Sequence, residues 1–266
     1  MAIITISRGT ASGGQILAEC IAAKLGYDCI PPTVLIDAAK EHNVPYEDIK
    51  KALYETPGFF DRNSLNAVHY LAYIREAVVK SVKDEHAVYY GLAGQFLLKD
   101  LPHVLRVFVI ANMEFRAQAA MDRFHCTKSQ AIEIIKRIDN KRDKWVKHFY
   151  NINRRDPSLY DIVINLDRLS IDGACELICN IASQKEFQAT AESQRRLNDL
   201  VLSTEVRSTI AANGGINDSK IEVDADGGVI ILKGMIHSTA EADKIREVVR
   251  KIPDVKDIRS EMRVHV

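Results

Sequence analysis

The sequence predicts an α/β domain with a mostly parallel sheet flanked by helices, followed by a small α+β unit. Three observations carry this. Strand-like apolar runs alternate with helical stretches through the first part of the chain. Two of those runs, VLRVFVIA and DIVINL, are nearly continuous in apolar residues, as strands covered on both faces must be. After about Gln184 the character changes to a polar, helix-prone stretch, and then to a run reading helix, strand, strand, helix, strand.

The elements follow in order. AIITIS is a short apolar strand, and the helix after it carries Ile16, Leu17, Cys20, Ile21 and Leu25 on one face, with Gly26 placed to end it. HAVYYG, VLRVFVIA and DIVINL are the further strands, and a helix starts near Asp172. The stretch QKEFQATAESQRRLNDL reads as a helical bridge. Beyond it, a helix is expected over roughly Glu205 to Ala212, and KIEVDA and VIILKG form a hairpin about Asp226-Gly227-Gly228. Ser238 with Glu241 has the pattern of a capping box. The helix behind it places Ile245, Val248, Val249 and Ile252 on one stripe and stops at Pro253. A last strand sets Ile258, Met262, Val264 and Val266 at alternate positions. The expected division is a domain over 1–185, a helical linker over 186–200 and a small domain over 201–266.

Composition removes several functional classes. Lys+Arg and Asp+Glu are equal at 36 each, so no global charge draws the chain to nucleic acid or to an anionic membrane. No apolar run approaches the length that spans a bilayer. The opening MAIITIS has neither a basic leader nor a cleavage site. The five cysteines show no metal-ligand spacing, and Cys175 and Cys179, four apart on a helix, read as buried free thiols. Together these point to the reducing cytoplasm.

The first stretch with chemistry is ISRGTASGGQ. Gly9, Gly13 and Gly14 let backbone amides turn inward, Ser12 is placed to cap the helix, and the helix start offers unpaired N–H groups and a partial positive charge. An anion suits that place. The pattern G-x-x-x-x-G-K-[ST] is not met: Gly14 stands in the lysine slot, Gln15 where the metal-binding hydroxyl would be, and Arg8 in the first glycine slot. The local chemistry serves a phosphate cradle and a tight β–α turn equally well.

The second is the basic helix KRIDNKRDKWVKHFYNINRR. Its apolar seam is Ala131, Ile135, Ile138, Trp145 and Phe149, and Arg142 falls on that seam. A guanidinium on an inward face needs a partner, because an unpaired buried charge is costly. Either an internal carboxylate, Asp139 or Asp156, or a bound phosphate supplies it.

These stretches together resemble the cytidylate kinase-like family. The resembling pieces are the loop Arg8 with Ser12-Gly13-Gly14, the run AVYYGLAGQFLLKDLPHVLRVFVIANMEFRAQAAMDRF, and RIDNKRDKWVKHFYNINRRDPSLYDIVINLDRLSID with Asp156 to Asp161. The resemblance covers about residues 1 to 185. It implies a P-loop-type fold with a basic helical lid, ATP and Mg2+ as cofactors, and transfer of a phosphoryl group to a CMP-like nucleoside monophosphate. Arg8, Gly9, Ser12, Gly13, Gly14 and Gln15 would hold the donor; Arg137, Arg142 and Arg154, with Arg155, would serve the transfer; Arg62 and Asp161 would face the acceptor. The family's G-R-G turn reads Gly91-Leu92-Ala93 here, so Leu92 replaces an arginine expected at the acceptor, and Pro31-Pro32-Thr33 stands where many relatives have an acidic entry to the acceptor helix. Residues 197 to 266 resemble a BON domain, a module associated with phospholipid or other ligands. The module has no basic face or exposed aromatic cluster, so a ligand-sensing or self-associating role is favoured over membrane contact. The alternative to the enzyme is therefore a non-catalytic nucleotide-binding regulator with this module as its output.

Overall fold

A computed structural model describes residues 1–54, 65–213 and 220–264. They fall into two compact units. One holds Met1–Val34 and Asp84–Ala189; the other holds Leu35–Ala52, residues 65–83 and the chain from Thr190.

The chain runs β1 (Ile3–Arg8), α1 (Gly14–Leu25), β2 (Asp28–Ile30), α2 (Val34–Glu41), α3 (Tyr46–Tyr54) and α4 (Leu65–Ser81), then β3 (Ala87–Tyr90), α5 (Gly94–Leu97), β4 (Val104–Ile110), α6 (Met113–Phe124), α7 (Lys128–Tyr150), β5 (Ile162–Asn165) and α8 (Ile171–Ala182). The strands of the first unit form one sheet in the order β2-β3-β1-β4-β5. Every pairing in it is parallel. β1 is the central strand, and Ile3, Ile4 and Ile6 are buried on it. Helices α1 and α8 cover one face, where Leu17, Ile21, Cys175 and Ile178 pack with Ile4, Ile6, Val107 and Val109. β4 is largely buried on both faces and reads as an apolar run, whereas β5, expected to be covered likewise, lies at the sheet edge with Val163 exposed. Cys175 and Cys179 are buried free thiols in this layer, as their spacing predicts.

The expected strands are present, and one was not foreseen. β2 is three residues at the sheet edge, partly exposed. A strand that short carries no period for a sequence reading to detect. Gly26 ends α1 in the left-handed region at φ 68, as expected.

The second unit continues with α9 (Ala191–Ala212), β6 (Ile221–Asp226), β7 (Val229–Ile236), α10 (Thr239–Val249) and β8 (Asp257–Val264). β6 and β7 are antiparallel and β7 and β8 parallel, in the order β6-β7-β8. The hairpin turns on Gly227 at φ 60 and Gly228 at φ 92, the signs that a two-residue primed turn needs. Val206, Ile210, Ile230, Leu232, Ile245 and Val249 make its core. On β8, Ile258 and Met262 are half-buried while Val264 is exposed; Val266 lies outside the described residues.

The helix expected from Glu205 is the last part of α9. Thr190 starts α9 with a capping box to Ser193, inside the stretch read as a linker. Its length has a tertiary reason, since α9 packs along α4 as well as against β6 and α10. Between α4 and α9 lies a buried carboxylate, Glu76. It takes His42 at 2.8 Å and Lys80 at 2.7 Å. Burial alone would raise its pKa; these hydrogen bonds outweigh that and hold it below the usual carboxylate range. Among the described residues no helix is long and apolar enough to cross a membrane.

Candidate functional site

The site is built where β1 ends. The register Arg8↔Val109 with β4 delivers the loop to the carboxyl end of the sheet, and Gly9 N–H donates to Val109 O at 3.1 Å. Gly13, at φ 83, occupies the position before α1, with no side-chain cap. The expectation that Ser12 caps α1 is corrected here. The left-handed turn at Gly13 leaves the Ser12 hydroxyl facing inward, where it donates to Gly9 O at 3.0 Å and Val109 O at 3.2 Å. With no side chain capping it, the first turn of α1 presents backbone amides to an outside acceptor.

The absent lysine has a steric explanation. A Cβ on Gly14 would lie 2.7 Å from Arg8 Cδ and 2.9 Å from Arg8 Cβ. The stem of Arg8 thus lies across the slot in which a lysine would stand, and its guanidinium sits 5.1 Å over the Tyr90 ring. Arg8 and a lysine at position 14 exclude each other. The loop carries one cation at this place, supplied by the strand rather than by the helix.

Asp139 of α7 ties the loop to the helices beside it. One oxygen accepts from Thr10 N–H at 3.0 Å and from the Thr10 hydroxyl at 2.7 Å. The other accepts from Arg116 of α6 at 2.5 Å, and Arg116 Nε donates to Thr10 O at 2.8 Å. Burial pushes the Asp139 pKa up, but the bonds from Arg116 and Thr10 more than reverse this and hold it low. Arg116 escaped the sequence reading. It sits in an ordinary amphipathic stretch, and its partner is 23 residues away.

Arg142 and Arg154 also reach this loop. Arg142 Nη1 lies 3.5 Å from Arg8 O and 3.4 Å from Thr10 Oγ1. Arg154 is 4% exposed, with Nη1 3.4 Å from Arg8 O, Nε 2.5 Å from Asp143 and Nη2 3.8 Å from Asp139. Its carbonyl accepts from Tyr160 OH at 2.7 Å, Tyr160 OH accepts from Gln95 at 3.0 Å, and Gln95 accepts from Ser7 OH at 2.7 Å. This buried chain of polar groups fixes Arg154 from behind. Arg8, Arg142 and Arg154 line one small cleft with Ser7, Leu92 and Gln95. Arg142 thus reaches oxygens of the loop, while Asp139 serves Arg116 and Thr10, and Asp156 bonds Ser158.

The remaining sequence-derived residues fall elsewhere. Arg137 is exposed on α7. Arg155 is exposed and pairs with Asp143 at 2.8 Å. Asp161 accepts from the Arg106 main chain at 2.8 Å and from its guanidinium at 2.7 and 3.1 Å, a clamp holding the start of β5 to β4. Arg62 lies outside the described residues. Gln15 is exposed and bonds Glu19 at 3.0 Å.

The oxygen donors at the loop do not suit a resident magnesium ion. The Ser12 hydroxyl is turned inward, Asp139 is held by Arg116 and Thr10, and Gln15 reaches Glu19. Among the described residues, Glu41, His42 and Glu76 bring ligand atoms within 4.8 Å of one another. Lys80 already lies 2.7 Å from both carboxylates and fills the place of a cation.

A parallel sheet flanked by helices, with a glycine-bearing loop after its central strand, is the architecture of P-loop kinases. Within that class, the cytidylate kinase-like family model matches residues 3–168, and the chain belongs to that family. A BON domain model matches residues 198–265. The chain is 25% identical over 189 residues to a cytidylate kinase of Sulfolobus acidocaldarius, covering 70% of this chain and 97% of that protein. It is 28% identical over 177 residues to a cytidylate kinase of Natronomonas pharaonis, covering 64% of this chain and 84% of that one. The crystal structure of an uncharacterized protein from Eubacterium ventriosum matches with a TM-score of 0.54 at 18% identity, over 70% of this chain and all of that one. That likeness concerns the fold alone.

Proposed function

We propose that the chain transfers the γ-phosphoryl group of ATP to a CMP-like nucleoside monophosphate. The observation that carries this reading is the convergence of Arg8, Arg142 and Arg154, from three separate stretches, on one cleft at the end of β1, where the loop leads into the uncapped start of α1. Phosphoryl transfer asks chiefly for positioning and for neutralisation of charge on the moving group. In the proposed mechanism the amides of Gly13, Gly14 and Gln15 bind the donor phosphates. Arg8 supplies the charge that a loop lysine would bring. Arg142 and Arg154 face the transfer point, with Arg154 held in place by Asp143 and by the Tyr160–Gln95–Ser7 chain. Magnesium enters this scheme as part of the MgATP substrate, carried on the donor's own oxygens. Arg137 and Asp161 have no geometric argument for contact and take no part.

The second reading, a nucleotide-binding regulator without turnover, is favoured by Leu92. A buried apolar side chain lines the cleft where the family's turn offers an arginine. One experiment separates the two: ATP binding, then ATP consumption against a panel of nucleoside monophosphates, with Arg142→Ala as control. Turnover on one acceptor that falls about a hundredfold or more in the variant supports the enzyme. Tight ATP binding without turnover on the whole panel supports the regulator. Absence of nucleotide binding overturns both.

A further inference from the structure

The second unit contains a cavity of about 290 Å³ walled by α4, α9 and β6. Its walls differ in chemistry. The helical wall carries two guanidiniums, Arg75 of α4 and Arg207 of α9. Both have partners in the folded chain, which hold them in place. On the same wall the Ser203 hydroxyl donates to Leu200 O at 3.1 Å, and the Thr204 hydroxyl to Leu200 O and Val201 O at 2.9 Å. Their protons are thus committed, and their oxygens can only accept. The opposite wall is β6, whose Ile221 and Val223 face the helices while Glu222 and Asp224, two apart, are exposed on the other face of the strand. Lys233 lies 2.8 Å from Asp224, so that carboxylate is already balanced from β7.

A ligand matching this lining carries an anion for the guanidiniums and hydrogen-bond donors for the hydroxyl oxygens. The volume lies at the low end for small-molecule sites, which run from about 300 to 1,000 Å³. It fits one sugar and one base, and the two guanidiniums favour an anionic group over an acyl chain. The helical wall is formed before any ligand arrives, because α9 packs along α4. The cavity also has a mixed origin. α4 lies within the cytidylate kinase-like match and α9 and β6 fall largely within the BON match, so neither module contains the site alone.

We propose that this cavity binds a phosphomonoester of mononucleotide size. Its phosphate meets Arg75 and Arg207, and its hydroxyl or amino groups donate to the Ser203 and Thr204 oxygens. The site shares no residue with the Arg8–Arg142–Arg154 cleft and does not depend on catalysis there.

Hydrogen–deuterium exchange on the full chain tests this, with CMP, ribose 5-phosphate and inorganic phosphate titrated separately. The expected result is saturable slowing over 199–210 and 221–226 with CMP or ribose 5-phosphate, and little with inorganic phosphate. The double variant Arg75→Gln/Arg207→Gln should weaken that response about tenfold or more while leaving exchange over 8–17 unchanged. If that variant does not fold, Arg207→Lys, which keeps the charge but loses the two-pronged geometry, takes its place. No slowing with any of the three probes overturns the proposal, as does slowing that the variants leave intact. Equal slowing by inorganic phosphate overturns the assigned ligand class. Protection over 8–17 without protection over 199–210 would sink this site and leave the kinase reading standing.

Discussion

At position 14 the chain makes an exchange that explains its loop. Gly14 is small because Arg8 lies over it, and Arg8 can lie there because Gly14 has no side chain. Restoring a lysine by Gly14→Lys should therefore not improve ATP binding. It should cost about 1–3 kcal/mol of stability through overpacking, and Arg8→Ala in the same chain should recover part of it; calorimetric melts and ATP titrations of the three variants check this. Asp139 is the other decisive residue, because Arg116 and Arg154 both rely on it. Asp139→Asn should lower stability by about 3 kcal/mol in urea unfolding, since it leaves the Arg116 guanidinium without its charge partner. The pKa of Asp139 is depressed in the fold, so its contribution is present above the unfolded value of about 3.9 and is lost as pH falls through the folded value. A chain lacking this carboxylate should show less loss of stability below pH 4. The sequence located Arg142 on an inward seam, yet it gave no sign of Arg116, whose significance exists only once α6 and α7 meet.

Among elements, the hairpin β6–β7 is the most exacting. Gly234 has φ 119, and a Cβ there would lie 1.9 Å from Lys220 O. Gly234→Ala should destabilise the second unit by about 3 kcal/mol or more, measured as loss of exchange protection across β6 and β7. Ser238 accepts from Glu241 N–H at 3.2 Å, while the Glu241 carboxylate turns back to His237 N–H at 2.7 Å. Ser238→Ala should cost only about 1 kcal/mol, since one cap is lost and the backbone is unaltered. That cap was legible from the sequence because capping is local. The full length of α9 was not. Its first half is polar in composition, and it continues as helix because Thr190 caps it and α4 packs along it.

For the molecule as a whole, the two compact units cut across the two family matches, with α4 and α9 in the same unit. The first unit also contains a pH-sensitive point away from the cleft. His103 is fully buried, its ring nitrogens have no hydrogen-bond partner among the described residues, and Glu85 lies 3.5 Å away. Burial lowers its pKa, with the Glu85 charge opposing. A depressed histidine pKa means the unfolded chain binds the extra proton more readily. Its contribution to stability is therefore present above about pH 6.5 and is lost as pH falls toward the folded value. Melting temperature should decline between about pH 7 and 5, and His103→Leu should flatten that part of the curve.

By itself the sequence determined what is local or periodic: the apolar strands of the sheet, the Gly26 stop, the Asp226-Gly227-Gly228 turn, the glycines of the loop and the inward position of Arg142. Each depends on residues within a few positions of one another, or on burial of a whole face. Tertiary structure decided which charges meet. Arg8 against Gly14, Asp139 between Thr10 and Arg116, and Glu76 with His42 join residues that adjacency in the chain does not pair. The physical reason is that a buried charge chooses its partner by distance and geometry after the helices have packed. Composition and spacing show that a partner is needed, and only the packed fold shows which one it is.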